Sequence, residues 1–165
     1  MPIVGRITQI WRYPVKSMQG ESLSSSPISA LGIPGDRGWA VRDEKTAEIR
    51  GAKKFPDLMA CSASYVEEPK GDEIPVASIT LPNKKVVRAD SADINSALSS
   101  YLGADVTLHP RRPATDLDHY RRTVPLTEEE LRDVLARTPD EELPDLSIMP
   151  EEIINEIVEY TSPRG

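Results

Sequence analysis

Tyr13-Pro14-Val15-Lys16-Ser17-Met18-Gln19-Gly20-Glu21 and, after a short interval, Gly35-Asp36-Arg37-Gly38-Trp39-Ala40-Val41-Arg42-Asp43 decide how this chain is read. Residues 7–11 have the texture of a strand that stops at Pro14, whose ring fixes its own φ and holds Tyr13 extended. A polar turn follows, in which Lys16 offers an ammonium and Ser17 a hydroxyl, and Gly20 lets the backbone reverse into a returning strand. Gly32, Pro34 and Gly35 punctuate a second turn, Asp36 and Arg37 follow at once, and residues 39–41 restart an apolar run. A charged turn therefore stands on either side of one short strand, a geometry that can hold an anion. The spacing alone admits a plainer reading, in which Asp36 caps the turn and Arg37 pairs with a carboxylate.

Working outward, residues 3–11, 22–30, 38–42, 47–50, 60–66, 77–81 and 86–89 are short runs separated by Gly, Pro, Asn, Asp or Lys clusters, the mark of a β-rich domain and, at this regular spacing, of a barrel. Residues 43–46 and 82–84 read as hairpin loops. Asp90 or Ser91 starts a helix in which Ile94, Ala97, Leu98, Tyr101 and Leu102 recur at helical spacing until Gly103 ends it, and residues 105–109 form a last strand. Beyond Pro113 the texture changes. Thr127 with Glu130 forms a capping box for a short acidic helix to about Arg137, and a second helix begins near Pro150 with Ile153, Ile154, Ile157 and Val158 on one face. That stripe either packs back on the barrel or docks a further domain. The expected fold class is mainly β (α+β): a small barrel with a capping helix over residues 1–125 and an acidic helical extension over residues 126–165.

Composition narrows the partners. The chain has 165 residues, 38 % of them apolar but only eight aromatic (two Trp, five Tyr, one Phe), so one modest, mostly aliphatic core is expected. The net charge of −7 is uneven, since residues 126–165 hold 12 acidic and 3 basic side chains. A continuous basic face for nucleic acid is therefore missing. No apolar run is long enough to span a membrane and no leader precedes the first strand, so a cytoplasmic protein is expected, without a membrane or nucleic-acid partner. Cys61, the single cysteine, lies in the apolar stretch Leu58-Met59-Ala60-Cys61 and reads as a buried, inert thiol. The densest basic stretch, His109, Arg111, Arg112, His119, Arg121 and Arg122, reads mainly as a solvated linker, the lesser reading being that some of it faces an anionic ligand, and neither histidine has a partner at metal-ligand spacing.

Tyr-Pro-Val-Lys-Ser-Met, the Gly-Glu pair after it and Gly-Asp-Arg-x-Trp-Ala-Val farther on resemble the N-terminal β-barrel domain of MOSC proteins, the molybdenum-cofactor sulfurase C-terminal family, mainly over residues 3–60. In that family the barrel precedes a MOSC domain, which supplies a reactive cysteine to the molybdenum or to sulfur transfer; no such domain is expected after Gly165. The resemblance implies that Lys16, Ser17 and Arg37 reach the phosphate of molybdopterin, that no residue here is the catalytic cysteine, and that the molybdenum cofactor is met only with a MOSC domain in cis or in trans. Arg50 stands in an insertion-like register, Ile49-Arg50-Gly51-Ala52-Lys53-Lys54-Phe55-Pro56, and matches less well.

The chain has no glycine-rich phosphate loop, no Gly-x-Ser-x-Gly elbow and no visible nucleophile and base pair, so catalysis by the chain alone is not expected; Ser24, Ser25 and Ser26 read as a solvent face. The function expected is an accessory barrel of an oxidoreductase or sulfur carrier, lending phosphate contacts and shaping the active-site mouth. The alternative is a free-standing barrel that binds protein through its acidic helices. The first requires the fold to bring Lys16 and Arg37 together, with Ser17 beside them.

Overall fold

The computed structural model of the chain describes residues 4–29, 32–121, 127–135 and 137–145, together with Pro150 and Ile153. Among them the elements run β1 (Ile10–Arg12), β2 (Glu21–Leu23), β3 (Trp39–Asp43), β4 (Glu48–Arg50), β5 (Ser62–Tyr65), β6 (Ala77–Thr80), β7 (Val86–Arg88), α1 (Ile94–Leu102), β8 (Val106–Pro110), α2 (Leu117–Tyr120) and α3 (Glu128–Val134), with a 3₁₀ turn at Pro56–Ala60 before β5. The fold is mainly β with a few helices.

Alternation explains the strands. In β3, Trp39, Val41 and Asp43 are buried while Ala40 and Arg42 are partly covered, the period of two expected of a pleated segment with one face inward. β3 pairs antiparallel with β4, Val41 opposite Arg50, and with β8, Val41 opposite Leu108. A second antiparallel sheet has the order β5-β6-β7, with Ala63 opposite Ile79 and Ile79 opposite Val87. The hairpin β1-β2 stands apart as a two-stranded sheet.

Residues 13–19 sew the two larger sheets together. Trp39 donates its amide to the Pro14 carbonyl at 2.9 Å and its own carbonyl accepts the Lys16 amide at 2.8 Å, which puts Val15 in parallel pairing with Trp39. Four residues later, Gln19 donates to the Cys61 carbonyl at 2.9 Å and accepts from the Ala63 amide at 2.9 Å, in parallel pairing with Ser62. At the opposite side, α1 packs on both β8 and β7 and fills the remaining gap. Gly103, left-handed at φ 64°, ends α1 as expected, and its amide donates to the Ser99 carbonyl. One continuous core results, from Val15, Met18, Val41, Leu58, Cys61, Ile79, Leu98 and Val106 among others, with Trp39 and Phe55 as its aromatic members.

An arginine is buried beside this core. Arg12 is 1 % exposed, donates from Nε to Glu21 at 2.9 Å and grips Glu68 with both terminal nitrogens at 2.7 and 3.0 Å. Its guanidinium carbon lies 5.1 Å from the Tyr65 ring centroid, and the Tyr65 hydroxyl donates to the Gly35 carbonyl at 2.6 Å. The loop before β3, the loop after β5 and the β1-β2 hairpin are thereby held to one another.

Several expected boundaries move. The strand expected over residues 3–11 contracts to Ile10–Arg12, and Val4 and Ile7 lie in solvent at 98 % and 78 % exposure, because β2 offers only three residues to pair with. The strand expected over residues 22–30 contracts to Glu21–Leu23, since Pro27 has no amide to donate, and Ile28 is exposed. The remaining strands and α1 shift by one or a few residues, with hairpin loops at residues 44–47 and 81–85. The first acidic helix is present as α3, shorter than expected; the second falls, apart from Pro150 and Ile153, outside the described residues. α2 was not expected at all.

Replacing Arg12 with Ala leaves the part-buried Glu21 carboxylate without its partner and removes the stack on Tyr65. The expected loss is about 2–4 kcal/mol, at or below the low end for breaking a buried ion pair because Glu68 stays solvated. Glu68→Gln, at a mostly exposed partner, should cost less than about 1 kcal/mol. Denaturant unfolding of both variants checks the asymmetry.

Candidate anion-binding site

Two turns, one from each quoted stretch, meet along the edge of β3. In the first, the Met18 amide donates to the Val15 carbonyl at 3.2 Å and closes a four-residue turn whose third residue, Ser17, is left-handed at φ 66°. Glycine or asparagine is the usual occupant of such a position. In the second, the Asp36 amide reaches the Ile33 carbonyl at 3.0 Å and the Gly38 amide the Gly35 carbonyl at 3.1 Å, with Gly35 at φ 78° and Arg37 at φ 48°. At Gly35 a Cβ would lie 2.6 Å from Pro69 and 2.7 Å from the Tyr65 ring, so only glycine fits. Ser17 and Arg37 are thus two of the four non-glycine residues at positive φ among the described residues. Such positions persist only where the surroundings over-determine them, and they gather at functional sites.

Backbone pairing joins the turns. The Arg37 amide donates to the Tyr13 carbonyl at 2.7 Å, one step before the Pro14-Trp39 bond, and Asp36 Oδ1 accepts the Tyr13 amide at 2.9 Å. Asp36 Oδ2 takes the Arg37 Nε at 3.3 Å, while the guanidinium side chain stays half exposed. The plainer reading therefore holds in part, since Asp36 anchors the turn and pairs with Arg37, yet it bonds the neighbouring segment rather than its own backbone.

Lys16 is the centre of the electrostatics. Burial pushes its ammonium below the ordinary lysine value, and the nearby Arg37 charge lowers it further. Lys16 and Arg37 sit on paired segments, the Arg37 amide bonding the Tyr13 carbonyl and the Lys16 amide the Trp39 carbonyl, and their charges repel. Among the described residues no carboxylate closes an ion pair with Lys16, so two cations share a partly desolvated rim. Ser17 lies beside them, its Oγ accepting the Ala52 amide at 2.9 Å, which leaves its own proton to donate.

The segment after β4 completes this wall. A Cβ at Gly51 would lie 2.7 Å from the Ser17 Oγ and 3.2 Å from the Lys16 Cε, so Gly51 lets the two chains touch. Gly51 and Ala52 were not singled out from sequence, although the Arg50-Gly51 pair stood in plain view. Arg50 adjoins the site through its backbone, while its guanidinium pairs with the buried Glu48. The basic stretch is only partly the solvated linker expected: Arg112 and Arg121 are exposed and His109 lies in β8, where a last strand was expected, but the Arg111 amide bonds the Gly38 carbonyl at 2.7 Å, and His119 and Tyr120 are buried. Tyr120 provides the missed signal, an aromatic that folds the stretch back; Arg122 lies outside the described residues. Cys61 is buried as expected, and burial pushes its thiol up. Surface hollows lined by Leu81, Lys85 and Tyr101, or by Glu67, Lys70 and Glu73, include none of the rim residues.

The fold is a mainly β domain whose seam carries a lysine, a serine and an arginine on two turns, Ser17 and Arg37 with left-handed backbones. Comparison with known families agrees: residues 4–105, more than half the chain, match the MOSC N-terminal beta barrel domain, and the chain belongs to that family. It is similar to mitochondrial amidoxime reducing component 2 of Bos taurus, at 32 % identity over 69 residues, 39 % of this chain and 20 % of the relative. The chain thus matches about a fifth of that relative's length. Among the described residues no helix is long and apolar enough to cross a membrane.

The site makes opposite demands on stability. Lys16→Gln removes a charge the fold disfavours and should stabilise the chain by roughly 0.5–2 kcal/mol at neutral pH. Because the folded-state lysine value is lowered, the wild-type chain gains stability as pH rises toward the ordinary lysine range, and Lys16→Gln should flatten that rise. Gly51→Ala forces Ser17 away from the Ala52 amide and should cost about 1–3 kcal/mol. Thermal unfolding at several pH values measures all three effects.

Proposed function

We propose that the chain serves as the accessory barrel of a MOSC-type molybdenum-cofactor protein, with Lys16, Ser17 and Arg37 contacting the cofactor phosphate. The observation that carries this reading is the desolvated Lys16 ammonium, set beside Arg37 with no counter-ion among the described residues. A dianionic phosphate would relieve both the repulsion and the desolvation. The donor set also fits: a compact ammonium, a hydroxyl whose lone pair is already engaged, and a guanidinium fork. When bound, the cofactor would supply the oxidoreductive or sulfur chemistry; this chain's residues would fix its phosphate end and close one side of the mouth.

The rim is one wall, and most of a pterin laid against it would remain in water. The chain by itself should therefore bind cofactor weakly and show no turnover, and a MOSC domain in cis or in trans would supply the second wall. Family membership and the similarity to a mitochondrial amidoxime reducing component support the association with that cofactor.

Calorimetric titration of the cofactor into the barrel joined to a MOSC domain tests the reading. Lys16→Ala and Arg37→Ala should each weaken binding by roughly 1.5–3 kcal/mol, the worth of a charge-assisted hydrogen bond. Unchanged affinity in both variants would sink the phosphate role.

A further inference from the structure

The two histidines, separated in sequence and unassigned by the site above, meet on the outer side of the β3-β8 sheet. The His109 ring in β8 and the His119 ring in α2 stand edge to face, 5.2 Å between centroids and 64° between planes. His119 in turn meets the Tyr120 ring at 4.9 Å and 81°. Tyr120 is 4 % exposed and closes the segment on itself: its hydroxyl donates to the Arg112 carbonyl at 2.7 Å and accepts the Arg112 amide at 3.0 Å. The run from Arg111 to Tyr120 is therefore a strap, pinned at one end by Gly38 and at the other by this ring stack.

Every charged group packed around the pair bears on its protonation. Arg42 from β3 and Arg112 from the strap both disfavour a charge on either imidazole. Glu44, after β3, favours charge on His109 from 3.9 Å, but it is already engaged by the Thr107 hydroxyl and by Arg42 at 3.5 Å. Asp116 favours charge on His119, but it is held by Arg112 at 3.1 Å and by the His119 amide at 3.3 Å. With its proton given to Glu44, the Thr107 hydroxyl must accept from His109 Nε2, 2.8 Å away, which assigns the neutral ring its Nε2 proton and makes Nδ1 the site of further protonation.

We propose that residues 111–120 form an acid-released strap, docked on the barrel only while His109 and His119 are both neutral. Protonating one ring sets a cation against the other ring and two arginines at the same edge; protonating both sets like charges about 5 Å apart. Burial first, then the neighbouring cations, lower the proton affinity of both imidazoles in the docked state. The released strap binds protons near the ordinary imidazole value of about 6.5. Docking is thus at full strength above that value and weakens as pH falls below it, by up to about tenfold per pH unit for each imidazole.

Amide exchange on the full chain, expressed as protection factors so that intrinsic rates cancel, reads the strap directly at the Arg112 and His119 amides. Between pH 7.5 and pH 5.0, wild-type protection there should fall by about tenfold or more, while the β3 and β8 amides stay protected. His119→Phe keeps an aromatic edge against His109, leaves one linked protonation instead of two and should make the fall clearly smaller than in wild type, the remainder coming from His109 against Arg42 and Arg112. Should Phe fail to dock at pH 7.5, His109→Gln, which can still meet Thr107, is judged by the same criterion. Undiminished wild-type protection at pH 5.0, or an equal loss in the docked variant, overturns the proposal.

Discussion

The arrangement depends on one segment doing the work of an edge strand for two sheets. Residues 13–19 pair with Trp39 through Val15 and with Ser62 through Gln19, so among the described residues the β4-β3-β8 and β5-β6-β7 sheets are joined by seven residues of main chain. Val15 and Met18, 0 % and 3 % exposed, drive that segment inward with their side chains. A pure β segment would carry its pairing straight along one neighbour. The turn at Lys16 and Ser17 is what transfers it from β3 to β5, and the residues that make the transfer are the ones left facing outward. The proposed site falls on the seam because that is where the backbone has to bend.

The turn that carries Arg37 inherits its rigidity from Arg12. Held by Glu21 and Glu68 and stacked on Tyr65, this guanidinium fixes the ring whose hydroxyl holds the Gly35 carbonyl, two residues before Arg37. Burial pushes the Tyr65 phenol above its ordinary value, so it remains a donor throughout the accessible pH range. A half-exposed arginine side chain on a flexible loop would lose much of its binding strength to ordering. On a turn locked from below, it has less freedom to lose.

Much of this was legible because punctuation is local. Pro14, Gly20, Gly35 and Gly103 mark turns or chain reversals that the structure keeps, and the helix spacing of Ile94, Leu98 and Leu102 needs no tertiary information. Strand extent was less legible, since a strand lasts only as long as a partner lies beside it. Ile7 looks like a strand residue and is left in water because β2 ends too soon. The inversion at Trp11 and Arg12 was hidden for a similar reason: the pleat turns the tryptophan outward and the arginine inward, against every hydropathy rule, and the distant Glu68 and Tyr65 join the cross-strand Glu21 in making that favourable. For the site, the residue types named the chemistry, whereas the Gly51 approach and the two left-handed backbones required the fold. The histidine pair was illegible because its two members come from elements ten residues apart, brought together by α2.

Left-handed backbone at Ser17 and Arg37 and a partly buried cation at Lys16 fall on the same seam, and that coincidence has a physical meaning. A non-glycine residue in the left-handed region costs of the order of 1–2 kcal/mol relative to glycine. Glycine at position 17 or 37 would therefore relax the backbone, and an uncharged side chain at position 16 would relax the field. Each relaxation would delete a donor that faces outward from the seam. For the isolated barrel the three residues are individually unfavourable choices, and the proposed anion laid against them is what would offset that cost.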